Sequence, residues 1–443
     1  MSASSDFKTL FQQASLKEIY YNSVRFSGAP GIDGINSKKF ETRINEQINI
    51  INYKVLNGTY HFSLYKEKLL IKSSDKKPRV ISISTIRDKL TLKALSKILT
   101  NSFNDCGRSV HKIINDIASN ISSNQYDGFL RLDIKDFYPS VSHHFLKSSL
   151  SSKIKKQEII NLLFDAVTQI TVPKSKNHKL NARSPKGIPL GLPISNILAN
   201  IYMIGIDKKY LKKNTIKYYR YVDDILILCK HNQIDRIKKS IDKDLKKIDL
   251  DAYSEKDEKY SSGKINSGIE YLGYTFTNNK ISIRKRSIEK QRELIINALT
   301  HSHYSNNKDI ALLEWTLNIR ITGGILNNNK YGWLFFFSQT NDLQLLASLD
   351  HFIKKQLIRF GLDIKNIKIK TYLRSHNEIT KNLKNTTYVP NFDLYGVSEK
   401  RTLLSRIFKI NTNTLNDIEV DSIFNRKIFQ TIKQLEKDIG RIS

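Results

Sequence analysis

Cysteine is nearly absent from this chain. Its 443 residues include two, Cys106 and Cys229, which lie far apart and form no CxxC pair. This count supports neither a disulfide framework nor a cysteine-based zinc finger. The first residues also lack the charged segment and the apolar core of a secretory signal. We therefore expect a reducing, cytoplasmic setting.

Long apolar runs and flexible linkers are missing as well. No apolar stretch reaches the roughly 18 residues that a membrane-spanning helix needs, so no such helix is predicted. The chain has no Pro-rich or Gly/Ser-rich linker and no internal repeat. Domain boundaries are therefore predicted from changes of pattern alone.

Acidic residues are too few to balance the basic ones. The chain has 42 Asp and Glu against 73 Lys and Arg, which gives a formal net charge of +31. Such an excess is typical of proteins that bind nucleic acid. Two alternatives stay open at this point, namely a soluble protein that happens to be basic and a protein that binds an anionic membrane surface.

The hydrophobic pattern predicts an α+β fold, with an antiparallel sheet covered by helices on one face. Thr85 and Asp88 have capping-box spacing and predict the start of a helix. The predicted elements in chain order are a mostly helical segment over 1–75, a strand over 77–85, a helix over 145–170, hairpins over 218–230 and 269–283, and helices from about 284 to the end.

Three aspartates carry the chemical signal. Asp223 and Asp224 are adjacent between two strand-like runs, and at ~4 Å two carboxylates repel by roughly 4 kcal/mol at an effective dielectric of about 20. An exposed hairpin turn is one explanation. Asp133, which ends another apolar strand, adds a third carboxylate, and three such groups suit Mg²⁺. Two Mg²⁺ ions support in-line phosphoryl transfer, so the pattern favours making or cutting phosphodiester bonds.

The motifs around these aspartates resemble those of reverse transcriptases. "YVDD" is similar to the catalytic hairpin, "LDIKDFYPSV" to the motif of the first metal-binding aspartate, and "GIPLGLPISNILANIYM" to the loop and helix that support template and nucleotide. "KPRVISISTIRDKLTLKAL" resembles the fingers, "GAPGIDG" an upstream bacterial motif, "SEKDEK" the lysine-bearing palm motif and "YLGYTF" the primer grip. These seven motifs stand in the family's order over roughly residues 25–280.

The resemblance implies an RNA-directed DNA polymerase with a right-hand fold. Fingers and palm with an antiparallel sheet are followed by an α-helical thumb and a C-terminal extension. The expected domains are 1–75 as an N-terminal helical fingers segment, 76–265 as the fingers–palm core, 266–300 as the primer-grip hairpin and start of the thumb, and 301–443 as the helical thumb and C-terminal domain.

The resemblance also implies roles in metal binding and acid catalysis. Asp133 and Asp223 are expected to be the principal ligands of two Mg²⁺ ions, for which Mn²⁺ is a substitute. Asp224 completes the carboxylate set, and the backbone carbonyl of Ile134 adds a ligand. Lys256 is expected to protonate the leaving pyrophosphate as a general acid. The alternative for Lys256 is a solvated lysine in a charged run.

A second set of residues is implied for the dNTP pocket. Arg79 is expected to clamp the triphosphate, since a guanidinium binds phosphate oxygens bidentately. Tyr138 is expected to exclude a ribose 2′-hydroxyl, the alternative being an ordinary core aromatic. Leu190 and Gly191 belong to the loop beside the nucleotide. Leu190 stands where the family usually carries Gln, so a side-chain amide is missing there.

The predicted helical tail, from about residue 284 to the end, helps to distinguish the subfamilies of reverse transcriptases. It shows no strand-rich segment for an RNase H domain, and two cysteines cannot supply the endonuclease domain of many group II intron enzymes. An altered nucleotide loop with a helical extension resembles the defence-associated abortive-infection and unknown-group lineages. That resemblance implies phage defence, with a dedicated non-coding RNA or a partner protein or homo-oligomer, and no membrane. The alternatives are a group II intron-like or retron-like mobile-element enzyme, and a non-catalytic nucleic-acid-binding protein on a polymerase scaffold.

The centre of the tail holds an aromatic run, Trp333 to Phe337. The pattern favours a buried core. The other interpretation is a surface on which bases or a partner chain stack.

Overall fold

The computed structural model describes residues 2–26, 29–71, 78–104, 107, 109–173, 183–277, 280–305, 309–363 and 365–439. Cys106 and the predicted boundary between 75 and 76 lie outside these ranges. No described helix is both long and apolar enough to cross a membrane.

Runs of helices are interspersed with strands through the first two thirds of the described chain. A π-helical turn, Tyr20–Val24, follows α2. The helices are α1 Ala3–Leu10, α2 Gln13–Ile19, α3 Ser37–Glu41, α4 Ile44–Leu56, α5 Ile86–Ser102, α6 Val110–Ser122, α7 Phe137–Ser140, α8 His143–Ser151, α9 Gln157–Thr168, α10 Ser195–Leu211, α11 Ile234–Lys246, α12 Lys285–Tyr304, α13 Ile310–Thr322, α14 Trp333–Phe336, α15 Leu343–Arg359, α16 Tyr372–Lys381, α17 Val397–Phe408 and α18 Asp417–Ile439. The strands are β1 Tyr65–Leu70, β2 Arg79–Ile83, β3 Gly128–Asp133, β4 Thr171–Val172, β5 Lys217–Tyr221, β6 Asp224–Cys229, β7 Ser261–Lys264, β8 Ile269–Tyr271, β9 Tyr274–Thr277, β10 Lys280–Ile283, β11 Gly324–Leu326 and β12 Asn329–Tyr331.

The chain divides into two compact units. The first unit comprises Met1–Arg108 and Tyr126–Gly263, and the second comprises Ser109–Gln125 and Lys264–Ser443. Helix α6 therefore belongs to the second unit although its neighbours in sequence belong to the first.

The first unit is organised around a four-stranded sheet in the order β5-β6-β3-β7. Strand β6 pairs antiparallel with both β5 and β3, and four consecutive residues of β6, Ile225 to Leu228, are fully buried. Helix α10 packs on β5, and α11 packs on β3. A smaller sheet in the order β2-β1-β4 contains one antiparallel and one parallel pair. The predicted α+β fold with an antiparallel sheet is confirmed.

The second unit is mostly helical and also contains the β8-β9-β10 sheet. The pairing of Lys280 with Thr277 and of Ile283 with Tyr274 confirms the predicted hairpin that ends with 280–283. The single strand predicted over 269–276 is instead two paired strands, β8 and β9, because Leu272 and Gly273 adopt left-handed backbone conformations and form a turn. The aromatic run lies in the core, because the exposed fraction of Trp333 is 4% and that of Phe337 is 0%. The prediction that this run is buried is therefore confirmed.

The described residues of 1–75 are mostly helical, as predicted, and also contain strand β1, which takes part in the small sheet. Two other element predictions were wrong. The predicted helix over 145–170 is two helices, α8 and α9, because the lysine-rich segment between Ser151 and Gln157 offers few apolar residues to bury. The C-terminal region includes the β11–β12 hairpin, whose turn places Asn327 and Asn328 in left-handed backbone conformations that Asn tolerates.

Candidate active site

The ends of two buried strands bring the predicted aspartates together. Strand β3 pairs with β6 so that Asp133 lies directly opposite Asp224. The backbone amide of Ile134 donates a hydrogen bond of 3.0 Å to the carbonyl of Asp223. Both strands are largely buried, β6 along a continuous apolar run, so the packing of their side chains fixes the register. A shift of one residue would turn every side chain to the opposite face.

Val222 forms the turn that separates the hairpin strands. Its φ is 58°, a left-handed conformation that a β-branched residue rarely adopts. Arg220 holds this turn, because its Nη1 donates a bond of 2.8 Å to the Val222 carbonyl. The guanidinium of Arg220 is itself fixed by Asp207, which accepts from Nε at 2.8 Å, and by the side-chain Oδ1 of Asn200, which accepts from Nη1 at 3.1 Å. With 4% of its side chain exposed, Arg220 is a buried support of the turn that contains Val222 and Asp223.

Arg131 engages Asp224. Its Nε and Nη2 donate to the two carboxylate oxygens of Asp224 at 3.0 and 2.8 Å. Burial raises the pKa of the Asp224 carboxyl, and the Arg131 guanidinium acts in the opposite direction. Arg131 precedes Asp133 by two residues, so both side chains leave the same face of β3. This bidentate pair offsets part of the repulsion between the neighbouring carboxylates.

Lys259 engages Asp133. Its Nζ lies 2.6 Å from Asp133 Oδ1. The segment after α11 brings it there, because Tyr253 N donates to the Asp133 carbonyl at 3.0 Å. Burial raises the pKa of the Asp133 carboxyl to about 6, the Lys259 bond lowers it, and the charge of Asp223 raises it. Lys256, the lysine predicted as general acid, is exposed three residues earlier.

The carboxylate oxygens at this site are of the ligand type that Mg²⁺ prefers. The backbone carbonyls of Asp133 and Asp223 already accept hydrogen bonds from Tyr253 and Ile134. Burial and the nearby charge of Asp223 both disfavour the ionised form of Asp133. In this structure the Lys259 ammonium stabilises that ionised form. Across the described ranges, no three His, Cys, Asp or Glu side chains form a metal-holding group. Ile134, predicted to offer its carbonyl, is 1% exposed and bridges to Ala252.

Tyr138 lies close to the aspartates. The ring is half-buried in the short helix α7, and its hydroxyl donates a bond of 2.6 Å to Asn196 Oδ1 on α10. Burial, followed by the charge of Asp223, raises the pKa of Tyr138 to about 12. The phenol therefore remains a neutral donor at physiological pH, and its position is set by α10.

The loop before α10 lies against strand β2. The Ser82 amide donates to the Leu190 carbonyl at 2.7 Å. Gly191 has a φ of 99°, and a Cβ there would lie 2.7 Å from Ile81 Cγ2 and 3.0 Å from the Ser82 carbonyl oxygen. Only glycine fits this approach. Arg79, the first residue of β2, is exposed and belongs to the same strand.

Sequence reasoning named the three aspartates, Tyr138 and the Leu190–Gly191 loop, and the structure places all of them in the first unit. It did not name Arg131, Arg220 or Lys259. A charged residue inside an apolar strand was the available signal for the two arginines, because such a side chain must be paired when buried. No signal separated Lys259 from Lys256 within the charged run.

Comparison with known proteins agrees with this arrangement. Residues 70–276 match the family model described as reverse transcriptase (RNA-dependent DNA polymerase). Protein YkfC of Escherichia coli is 22% identical over 67% of this chain and 86% of its own length. The group II intron-encoded protein LtrA of Lactococcus lactis is 26% identical over 46% of this chain, but only 36% of LtrA is covered.

Among solved structures, apo telomerase from Candida tropicalis covers 96% of this chain and 88% of its own, with 14% identity and a TM-score of 0.45. At that score the likeness does not establish a shared fold. The matched segment 70–276 contains all three aspartates, the Gly191 loop and the β5–β6 hairpin. This segment, a little under half of the chain, is therefore similar to the reverse transcriptase domain of RNA-directed DNA polymerases.

Proposed function

We propose that the chain synthesises DNA from dNTPs by two-metal nucleotidyl transfer at Asp133 and Asp223. The observation that carries this proposal is the β3–β6 register, which sets Asp133 opposite Asp224 with Asp223 next to it in the turn. A strongly basic chain with carboxylates at matched strand ends suits a reaction on polyanionic substrates.

Asp133 and Asp223 would hold the Mg²⁺ ions, with the Ile134 carbonyl as a further ligand and Mn²⁺ as a substitute. Bound divalent ions supply activation of the attacking 3′-oxygen and charge stabilisation of the leaving pyrophosphate. Lys259 competes with a divalent cation for Asp133 Oδ1, the oxygen it contacts at 2.6 Å. Asp224, which pairs with Arg131, would complete the carboxylate set around the ions less directly.

We propose that the nucleotide pocket is formed by residues of the first unit near the three aspartates. Arg79 would bind the triphosphate, and the Gly191 backbone would approach the nucleotide along β2. Tyr138, held by Asn196, would contact the sugar and exclude a 2′-hydroxyl. Lys256 is the proposed general acid, and its exposed position leaves the ammonium available to solvent and substrate.

The decisive experiment replaces the carboxylates one at a time. Asp133→Asn and Asp223→Asn should each abolish dNTP incorporation in a primer-extension assay, because each removes a metal-binding charge with little change in volume. Asp235→Asn, an exposed aspartate on α11, is the matched control and should retain full activity. Mg²⁺-dependent thermal stabilisation should disappear in the first two variants only. Incorporation near the wild-type rate in Asp133→Asn or Asp223→Asn would refute the proposal, including its polymerase part.

The biological role we propose is antiphage defence with a dedicated non-coding RNA or partner protein. Two features support it, namely Leu190 in place of the usual Gln and a helical region that continues well beyond β10. Expression in a bacterial host should reduce phage plaque numbers, and Asp223→Asn should restore them. Equal plaque counts with the wild-type and variant proteins would contradict the defence role.

A group II intron-like function is the second candidate. The similarity to LtrA, whose name describes an intron-encoded protein, favours it. Sequencing the nucleic acid that copurifies with the chain separates the two, since intron RNA would support the second candidate and a distinct non-coding RNA the first. A retron-like enzyme predicts a DNA joined to its template RNA. A non-catalytic nucleic-acid-binding protein predicts no metal-dependent incorporation at all.

A further inference from the structure

A groove in the second unit lies between helices α15 and α16. We call it the α15–α16 groove; its volume is about 780 Å³. The groove does not include the proposed catalytic carboxylates, because all three belong to the first unit. The residues that line it and carry the argument are Leu343, Asp350, Lys354, Leu373, Arg374 and Lys381.

The floor of the groove is apolar and open to solvent. Leu343 is 51% exposed and Leu373 is 40% exposed, and Ala347 lies one helical turn after Leu343. Leucines that remain this exposed side by side in a concave surface mark an interaction site more often than a neutral surface. An occupant that covers them would remove apolar area from water.

The rim of the groove is basic. Lys354, Arg374 and Lys381 line it, together with His351. Glu378 approaches Arg374 Nε only to 3.8 Å, and 65% of the Arg374 side chain is exposed, so this pair neutralises little of the charge. The one lining carboxylate, Asp350, accepts hydrogen bonds from the amides of Tyr372 and Leu373 at 2.6 and 3.2 Å. Both carboxylate oxygens of Asp350 are therefore occupied by backbone amides at the start of α16.

A nucleic-acid strand is a poor match for a groove with exposed leucines and a basic rim. Single strands are held by a basic groove with aromatic side chains on which bases stack. Among the described residues that line the groove, none is Phe, Tyr or Trp. Exposed leucines flanked by cations instead complement a helix with leucines on one face and carboxylates beside them, bound through anchors at positions i, i+3 or i+4, and i+7.

We propose that the α15–α16 groove binds an acidic amphipathic helix of a partner protein. The leucine face of that helix would cover Leu343 and Leu373, and its carboxylates would pair with Lys354 and Lys381. The proposal does not depend on polymerase activity, because none of these residues belongs to the catalytic site. Its failure would therefore leave the proposed function intact.

The probe is a fluorescein-labelled synthetic helix of about 18 residues, roughly five turns, with leucines at helical spacing and glutamates elsewhere. Its control has the same composition with the leucines shuffled, so that charge is kept and the apolar face is lost. A uridine oligonucleotide tests the nucleic-acid alternative. Fluorescence anisotropy with the full chain should show that the amphipathic helix binds at least about fivefold more tightly than the shuffled one.

Two groove variants and one matched control test the location. Lys354→Glu and Leu343→Ser should each weaken helix binding by about fivefold or more, because they remove a charge pair and apolar contact respectively. Lys355→Glu is the control, since this exposed lysine is the next residue on α15 and does not line the groove. It should leave binding within about twofold. Hydrogen exchange on the wild-type chain should show helix-dependent protection over 343–354 and 371–381, which tests the location without any substitution.

Each contrary outcome overturns the proposal. Equal binding of the amphipathic and shuffled helices would mean that net charge alone attracts them. Equal loss in Lys354→Glu and Lys355→Glu would place the site elsewhere on α15. Oligonucleotide binding that Lys354→Glu abolishes, without any helix binding, would identify a nucleic-acid groove.

Discussion

Arg220→Lys is the most informative single substitution for the turn at Val222, which we propose holds the catalytic aspartates. In the structure the guanidinium spans Asp207, Asn200 and the Val222 carbonyl from a position that is 4% exposed. A lysine keeps the charge beside Asp207 but cannot reproduce the planar fork. The part-buried Val222 carbonyl then loses its donor; the cost is about 1–3 kcal/mol for a fully buried acceptor and lies toward the lower end here.

The left-handed backbone of Val222 adds to the effect. That conformation is disfavoured by roughly 1–2 kcal/mol for a residue with a Cβ, so the turn needs an external restraint. Without it the Asp223 and Asp224 backbone is free to relax. If about 2 kcal/mol of this loss is added to the activation free energy of incorporation, the rate falls by about thirtyfold. We therefore expect primer extension to slow by about thirtyfold in Arg220→Lys.

The assay is single-turnover dNTP incorporation, measured at a temperature where circular dichroism shows that both proteins are folded. Arg25→Lys is the control, because Arg25 makes a comparable 2.8 Å pair with Glu41 elsewhere in the first unit. It should change incorporation by less than about threefold. If Arg220→Lys lowers the thermal midpoint but incorporates dNTPs as fast as Arg25→Lys, the guanidinium does not position the turn.

Three further changes test separate features. Tyr138→Ala should increase rNTP relative to dNTP incorporation, and an unchanged ratio would show that the ring only fills space. Gly191→Ala should raise KM for dNTPs and lower the thermal midpoint, because its Cβ would meet Ile81 at 2.7 Å; Gly205→Ala, with no atom within 4 Å, should do neither. Burial lowers the pKa of His376, so its stabilising contribution is present above about pH 6.5 and is lost as the pH falls below that value. The thermal midpoint of the wild type should accordingly drop between pH 7 and pH 5 more steeply than that of His376→Asn.

Strong local patterns were predictable from the sequence. The Thr85 and Asp88 capping box appears as an Asp88 N to Thr85 Oγ1 bond of 3.2 Å at the start of α5. The hairpin over 218–230 forms because β6 is a continuous apolar run buried between two neighbours. These elements depend on periodicity and on residues a few positions apart, which a single sequence records directly.

The missed features depend on contacts between distant segments. Strand β1 was hidden in a region read as helical, since its residues "YKEKLL" carry alternating charge and only pairing with β2 makes them a strand. The choice of Lys259 over Lys256 depends on a turn in which Asp257 accepts bonds from the Ser254 amide and hydroxyl at 2.9 and 2.7 Å. Neither outcome is encoded in the spacing of the residues concerned.

The placement of α6 in the second unit affects how the chain folds during synthesis. Its stripe of Ile113, Ile114, Ile117 and Ile121 is buried, and His111 bonds to the Phe335 carbonyl at 2.9 Å. About 140 residues separate the end of α6 from the rest of its unit. At ribosomal rates of about 5–20 residues per second, roughly 7–30 s pass between synthesis of α6 and synthesis of the next segment of the second unit, which begins at Lys264. A nascent chain therefore displays an unburied amphipathic helix during that interval, a surface suited to chaperone capture, and a protein shortened after Gly263 would display it permanently.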